Sequence, residues 1–285
     1  MIPRRPKTTA VAAALALAAC GGGARPAASP SSPARPATTP SAPALCGPLR
    51  SRVVAHVAAP GLTEASGLVL ARGSLWTHDD SGGPATLFEL STRGKLLREV
   101  PVPGAVNVDW EDIAARGGTL YVADIGDNAA TREEIAVYRI PPAPERIALR
   151  YPDGPHDAEA LLVDGSRLVI LTKSLSGESH VYTARGPGTL RRAGTLSLGL
   201  GEAVTGADAR GRTIVVRTYD RVYVWMRRAG ESIARALRRK PCTAGVSLLR
   251  EGQGESIALA AGGRSFYTLP EGSSPVLREY AVSQH

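Results

Sequence analysis

Five oxygen-bearing side chains recur through the chain at a nearly constant interval. Each enters a short apolar segment, which is followed by a turn and a second β-rich segment. They are Ser66, Glu111, Glu159, Thr205 and Glu255. Carboxylates that meet at one point repel one another and raise one another's pKa unless a cation lies among them. An all-oxygen set suits Ca²⁺ better than Zn²⁺ or Mg²⁺, so convergence of these five residues predicts an axial calcium site.

The repeat that carries these residues has a period of about 48 residues and about four β-rich segments per copy, which is typical of a propeller blade. In the first copy the segments are 67–71, 74–79, 85–91 and 95–102. Five copies predict an all-β fold, a five-bladed β-propeller. The last copy ends after the segment 276–282, so the N-terminal segment 52–58 is expected to supply its fourth strand and to close the ring. A short helix at 231–238 is expected as a surface decoration.

Propeller geometry places the five residues at one mouth of a central channel. The innermost strand of each blade lines the channel, and its start lies on the same face as the loop after the second strand. Polar residues there would form a ligand-binding mouth: Asp79, Asp80, Asp109, Asp124, Asp127, Asn128, Lys173, Arg217 and Glu271. The acidic members are candidates for further Ca²⁺, and Lys173 and Arg217 for orienting a phosphate or carboxylate. Because Asp and Asn are also ordinary turn formers, a structural role is the alternative for each.

The first copy carries a family resemblance. Its residues Glu64–Leu68 and Leu75–Gly82 resemble the first-blade motif Glu-x-Ser-x-Leu…Leu-Tyr-x-x-Asp-Asp-x-x-Gly of the calcium-activated nucleotidases (apyrases), which are five-bladed propellers. That resemblance implies a channel calcium held by one residue per blade in the order Ser, Glu, Glu, Ser, Glu. Thr205 stands here in place of the second serine, and the longer loops of that family are missing, so its substrate-binding positions do not carry over. The repeat is also similar to exported bacterial propellers described as phytase- or esterase-like.

The N-terminus predicts export. Basic residues at positions 4, 5 and 7 precede an apolar run over 8–19, which is too short to span a bilayer and is typical of a signal peptide. Its ending, Leu17-Ala18-Ala19-Cys20, resembles the lipobox of bacterial lipoproteins. We therefore expect a signal peptide at 1–19, a lipidated Cys20, a disordered Pro-, Ala- and Ser-rich tether over 20–45 and the propeller over 46–285. An ordinary secretory signal cleaved near Ala19 is the alternative.

The charge of the chain limits the kinds of partner that we expect, and its cysteine content indicates the compartment. The chain has 34 basic and 26 acidic residues, and removal of 1–19 takes away three basic ones, which leaves 31 − 26 = +5. The arginines are scattered, with no basic stripe interleaved with aromatics, so no nucleic-acid partner is expected. Cys46 and Cys242 remain as an even pair in an oxidising compartment, which favours a disulfide over two free thiols.

The sequence favours a binding role over catalysis. No Gly-x-Ser-x-Gly elbow, phosphate-binding loop or dinucleotide fingerprint is present. We expect a monomeric, lipid-anchored module on the outer face of the cell membrane that binds a small molecule or an envelope protein. One alternative is a calcium-dependent hydrolase of phosphate compounds, with Lys173 and Arg217 clamping charge and Asp80 or Asp127 as base. The other is a propeller whose ion is purely structural.

Overall fold

The computed structural model describes residues 43–140 and 143–283. Within these ranges the strands form five separate sheets. The innermost strands of successive sheets contact one another in ring order, and the innermost strand of the fifth sheet contacts that of the first. The predicted five-bladed β-propeller is confirmed. The predicted signal peptide, the predicted lipidation site at Cys20 and the first part of the predicted tether lie outside the described residues.

The strands of each blade follow one another from the channel outwards. The N-terminal strand is β1 (Leu49–His56). Blade 1 contains β2 (Ala65–Ala71), β3 (Ser74–Asp79), β4 (Thr86–Leu90) and β5 (Leu96–Pro101). Blade 2 contains β6 (Trp110–Arg116), β7 (Thr119–Asp124), β8 (Ile135–Ile140) and β9 (Glu145–Arg150). Blade 3 contains β10 (Ala158–Asp164), β11 (Arg167–Thr172), β12 (Glu178–Ala184) and β14 (Arg191–Ser197), and the short β13 (Gly188–Thr189) pairs in parallel with the edge of blade 2.

The last two blades are less regular. Blade 4 contains β15 (Val204–Arg210), β16 (Thr213–Thr218), β17 (Val222–Met226) and the short β18 (Cys242–Thr243). Blade 5 contains β19 (Ile257–Leu259), β20 (Ser265–Thr268) and β21 (Val276–Val282). One α-helix, α1 (Ile233–Ala236), and two 3-10 turns, Ala44–Cys46 and Leu249–Glu251, complete the secondary structure of the described residues. No helix in these ranges has the length and apolar character that crossing a membrane requires.

The N-terminal strand closes the fifth blade, as predicted. β1 pairs antiparallel with β21, from Leu49 opposite Val282 to His56 opposite Val276. The strand begins before the predicted segment 52–58, because the residues over 50–53 of this outermost strand are exposed and give no apolar signal. Pairing of the two termini leaves blade 5 with four strands and closes the ring.

The hydrophobic core lies between neighbouring blades. The described residues contain five buried apolar clusters, one at each boundary between two blades. Trp110 is fully buried between blades 1 and 2, and Trp225 packs between blades 3 and 4. Ile233 and Ala236 of α1 are buried in the same cluster as Trp225, so the expected surface decoration is instead part of the core. The helix is also shorter than the predicted 231–238.

The predicted disulfide is present between Cys46 and Cys242, with a Cα–Cα distance of 5.8 Å across 196 residues. It joins the 3-10 turn before β1 to the outermost strand of blade 4. Since β1 itself belongs to blade 5, the covalent bond crosses the boundary between the last two blades. The bond and the β1–β21 pairing therefore hold the N-terminal segment to the ring in two independent ways.

Candidate functional site

Three of the five ring residues lie at irregularities in the innermost strands. In β6 the pairing with β7 skips Glu111, because Trp110 pairs with Asp124 and Asp112 pairs with Ala123. The equivalent pairings skip Glu159 in β10 and Thr205 in β15. A bulge of this kind bends a strand and re-aims the side chain of the unpaired residue. The bulges therefore account for three side chains that leave the regular ladder at the start of the channel-lining strands.

Three of the five ring residues form a buried acidic cluster. One carboxylate oxygen each of Glu111, Glu159 and Glu255 lies within 4.8 Å of the others, and all three residues are buried. A cluster of this kind could hold a metal ion. The ring hydroxyls have protein partners: Ser66 Oγ donates to the Glu111 carbonyl at 2.7 Å, and Thr205 Oγ1 donates to the Gly254 carbonyl at 3.2 Å. The two hydroxyls thus link neighbouring innermost strands.

Lys173 is the cationic partner of this cluster. Its Nζ lies 2.5 Å from Glu159 Oε1 and 4.0 Å from Glu255 Oε1. Tyr219 completes the arrangement, because its hydroxyl donates to Glu255 Oε1 at 3.2 Å and its ring centroid lies 5.7 Å from the ammonium. One ammonium cannot balance three ionised glutamates. Glu159 Oε2 is buried and has no hydrogen-bond partner among the described residues.

The protonation of the cluster reflects this imbalance. Burial, followed by repulsion from Glu255, raises the pKa of Glu159 to about 8 even though Lys173 acts in the opposite direction. Burial and the neighbouring Glu159 raise the pKa of Glu111 well above its ordinary value. Burial opposes the charge of Lys173, but the Glu159 carboxylate outweighs it and raises the pKa of the ammonium. Without an ion the cluster therefore tends to keep protons on its glutamates near neutral pH, and a bound cation would favour their ionised form instead.

A second acidic cluster shares Glu111. One carboxylate oxygen each of Asp80, Asp109 and Glu111 lies within 4.8 Å of the others. Asp80 Oδ1 is buried and has no hydrogen-bond partner within the described ranges, and burial and Glu255 raise the pKa of Asp80 to about 7. Gly126 lies so close that a Cβ there would overlap Glu111 Oε1 and lie 2.5 Å from Asp109 Oδ2. We call the two clusters together, Asp80, Asp109, Glu111, Glu159 and Glu255, the acidic mouth.

Three other predicted mouth residues hold loops. Asp79 Oδ1 accepts the backbone N–H groups of residues 63 and 64 at 2.8 and 2.7 Å. Asp127 accepts the backbone N–H of residue 131 at 2.9 Å and that of Arg132 at 2.6 Å. Asp124 pairs with the Arg132 guanidinium at 2.9 Å and accepts the Asp109 N–H at 3.1 Å. These three carboxylates shape the mouth from beneath its surface, which is the structural role that the sequence left open for them.

The remaining predicted residues divide between the surface and the interior. Asn128 is exposed, and Glu271 is half-buried, with its pKa raised to about 7 by burial and by Glu255. Arg217 is fully buried, pairs with Glu251 at 3.4 Å and donates to the Ser256 carbonyl at 2.8 Å. Arg217 is therefore inside the protein and not at the surface of the mouth.

Comparison with known proteins supports the fold alone. No family model matches the chain, and no curated protein matches it. Glutaminyl cyclase from Myxococcus xanthus has a similar structure, with a TM-score of 0.55 and 16% identity over 84% of this chain and 100% of that one. Aldose sugar dehydrogenase from Streptomyces coelicolor, in its PQQ-bound form, has a TM-score of 0.48 and 13% identity, with 82% of this chain and 98% of that one covered. These neighbours are cyclase and sugar dehydrogenase propellers, and neither is a nucleotidase or a phytase.

Sequence reasoning missed Glu251, the partner of Arg217. Glu251 also accepts the hydroxyls of Thr268 at 2.6 Å and Tyr280 at 2.7 Å. It lies at the end of a 3-10 turn, outside the β-rich pattern, and no local signal marks it. In the register of the structure Arg217 is equivalent to the buried His78 of blade 1 and not to Asp79 or Asp80, which explains why it lies inside the protein.

Proposed function

We propose that the chain is an exported, lipid-anchored propeller whose acidic mouth binds Ca²⁺ and, together with the ion, a ligand at the cell envelope. The observation that carries this proposal is the buried oxygen Glu159 Oε2, which has no partner among the described residues inside a cluster of three glutamates. A buried, unpaired carboxylate oxygen is costly. A cation bound between the glutamates would remove that cost.

The donor chemistry favours calcium. Both clusters consist of carboxylates alone, whereas Zn²⁺ prefers ligands that include His nitrogen or Cys sulfur. Ca²⁺ accepts six to eight oxygens with flexible geometry. The carboxylates of the acidic mouth supply part of such a shell, and water or a ligand would supply the rest.

Lys173 connects ion binding to ligand binding. Its ammonium now holds the place beside Glu159 that a calcium ion would approach, and two cations within about 4 Å repel one another strongly at a partly buried site. Calcium binding would therefore displace the ammonium towards solvent. A displaced Lys173 next to a bound ion would attract an anionic group, which fits the expected role of this lysine in orienting a phosphate or carboxylate.

A binding module agrees better with the geometry than the alternative, a calcium-dependent hydrolase of phosphate compounds. That alternative needs Arg217 to clamp the substrate, and Arg217 is buried against Glu251. It also needs a free base, and Asp127 is engaged by two backbone N–H groups. Asp80 is the remaining candidate base. The other alternative, a purely structural ion, would give Lys173 no part in ligand binding.

The proposed location rests on the lipobox-like ending at Cys20. It is supported by the disulfide Cys46–Cys242, because structural disulfides form and persist mainly in oxidising compartments outside the cytosol. The partners would then be the membrane, through the lipid on Cys20, and a small molecule or an envelope protein at the acidic mouth. We expect the propeller to act as a monomer.

Calorimetric titration of the full chain with Ca²⁺ tests the proposal. We expect one or more sites in the wild type, loss of binding in Glu159→Gln, and unchanged binding in Glu99→Gln, which alters an exposed carboxylate on β5. Phosphate release from ATP and from phytate is measured in parallel. Calcium binding without release supports the module, calcium-stimulated release that Asp80→Asn abolishes supports the hydrolase, and absence of calcium binding rejects both.

A further inference from the structure

A cavity of about 400 Å³ lies at the opposite end of the channel from the acidic mouth. The ring residues stand at the starts of the innermost strands, whereas the cavity is lined by the hairpin turns at their ends, among them Arg72-Gly73, Gly117-Gly118 and Gly211. Six or seven residues at about 3.3 Å each separate the two ends by roughly 20 Å. The cavity is therefore a second site, distinct from the acidic clusters.

Positive charge dominates this cavity. Its lining includes four arginines, Arg72, Arg116, Arg210 and Arg227, and one carboxylate, Asp208. The two oxygens of Asp208 are occupied by backbone N–H groups, that of residue 209 at 2.7 Å and that of residue 259 at 2.7 Å. Asp164, outside the lining, pairs with Arg227 at 2.9 Å, and one engaged carboxylate cannot balance the three other guanidinium groups. Basic residues therefore line this end of the channel, whereas acidic residues line the other end.

The arginines retain unused donors. Arg210 donates through Nη2 to the Leu70 carbonyl, but its Nε is buried and has no partner among the described residues. Arg72 uses Nε and Nη2 on the Gly118 carbonyl of the next blade. A guanidinium has five N–H donors in a fixed fork, so both side chains are held in place by the protein and still have donors available. Arg227 is more fully engaged, with Asp164 at 2.9 Å.

Arg72 also stands in a strained backbone position. Its φ is +52°, and the residues at the same place in the turns of blades 2, 3 and 4 are all glycines, Gly117, Gly165 and Gly211. A left-handed conformation is unfavourable for a residue with a Cβ, and strained residues cluster at binding sites. In blade 1 the chain carries a guanidinium at the rim of the cavity in place of the unstrained glycine.

We propose that this arginine-lined cavity, which we call the basic mouth, binds a phosphate-bearing ligand. Guanidinium forks match phosphate oxygens in pairs, and a cavity of this volume accommodates a small molecule. The phosphate belongs either to a soluble phosphorylated compound or to a phospholipid headgroup. The position of β1 supports a phospholipid headgroup, because β1 begins at this end of the channel and the proposed membrane tether would precede it. Leu49 at the start of β1 pairs with Val282, whose N–H donates to the Arg264 carbonyl in the turn after β19.

Titration of the full chain in detergent tests this proposal independently of the calcium site, because EDTA is present throughout. The probes are inorganic pyrophosphate and glycerophosphoglycerol, the soluble phosphodiester headgroup of phosphatidylglycerol. The variants are Arg72→Gly, which restores the unstrained residue and should fold, and Arg210→Gln. We expect each to weaken binding about tenfold, the loss of one charge-assisted contact. Arg93→Gln, an exposed arginine outside the cavity, should change it less than about twofold.

The two probes distinguish the sources of the phosphate. Binding of pyrophosphate alone assigns the site to a soluble phosphorylated compound, and binding of glycerophosphoglycerol assigns it to a headgroup. Absence of binding by both probes overturns the proposal. So does an equal loss in Arg93→Gln, which would mean diffuse attraction to the whole basic surface. Thermal unfolding of each variant in EDTA verifies that weakened binding does not reflect unfolding.

Discussion

Lys173 Nζ lies 2.5 Å from Glu159 Oε1, while the second oxygen of the same carboxylate is buried without a partner among the described residues. The lysine therefore pairs with only one of the two oxygens of this carboxylate. It also reaches Glu255 at 4.0 Å but is not among the partners of Glu111. Of the carboxylates of the acidic mouth, this ammonium therefore contacts two, those of Glu159 and Glu255.

Replacement of that ammonium should make calcium bind more tightly. In Lys173→Met the competing cation is gone, and we expect the calcium affinity to rise by about tenfold or more, since removal of a charge a few ångströms from the ion is worth at least about 1.4 kcal/mol. Without calcium the variant should be less stable than the wild type. Lys95→Met, at an exposed turn of blade 1, is the matched control. Weaker calcium binding in Lys173→Met would show that the lysine supports the ion.

The stability of the calcium-free protein should fall as the pH rises. The pKa of Glu159 is raised from 4.5 to about 8 in the folded state, so the folded protein keeps a proton that the unfolded chain releases. Each such group contributes up to about 1.4 kcal/mol of loss per pH unit between these two values. Urea unfolding in EDTA at pH 5, 6.5 and 8 measures the trend, and Glu159→Gln should reduce the slope. Rising stability over this window would contradict the account.

Calcium should cancel this trend for the bound protein. The ion binds the deprotonated carboxylates, so its stabilising effect should grow with pH through the same window. The same unfolding series repeated with Ca²⁺ provides the comparison, and a pH-independent calcium effect would contradict the assignment of Glu159 as a ligand.

Gly126→Ala should remove calcium binding and preserve the fold. A Cβ at this position would overlap Glu111 Oε1 and crowd the Asp109 carboxylate, so both side chains would have to move away from the ion site. Gly186→Ala is the control, because that glycine has open space around its Cβ position and no positive φ. Calorimetry with Ca²⁺ and circular dichroism measure the two effects. Undiminished calcium binding in Gly126→Ala would exclude an ion held by Glu111.

The repeat predicted the architecture because a propeller is built from one local unit. Each copy contains its own meander, so five spaced copies specify five blades and, in blade 1, the strand bounds to within two residues. The last strand, Val276–Val282, agrees with the prediction residue for residue. The exposed start of β1 and the buried helix Ile233–Ala236 were misjudged, because whether their residues are covered depends on neighbouring blades.

The candidate site was predictable in position but not in pairing. Spacing alone brought Glu111, Glu159 and Glu255 to one place. It could not reveal that Lys173 reaches Glu159 across the cluster, or that Arg217 turns inwards to Glu251. Such contacts depend on side-chain direction and strand register, and a shift of one residue at a bulge changes both.

Loss of the disulfide should destabilise the ring without opening it. In Cys46→Ala/Cys242→Ala the β1–β21 pairing remains, so the fold should persist with a free energy of unfolding lower by about 2–5 kcal/mol. For a domain of this size that corresponds to a Tm lower by about 10 °C. Calorimetry on the oxidised wild type and the double variant measures the difference. An unchanged Tm would mean that strand pairing alone secures the N-terminal segment.

The most direct test of the central claim is the thermal unfolding of the full chain with and without Ca²⁺. At a hundredfold excess over the dissociation constant, ion binding should stabilise the wild type by about 2.7 kcal/mol, a rise in Tm of about 5–10 °C. Glu111→Gln and Glu159→Gln should lose this rise, and Glu99→Gln should keep it. A wild type that does not respond to Ca²⁺, or glutamine variants that respond as the wild type does, would contradict a calcium site at the acidic mouth.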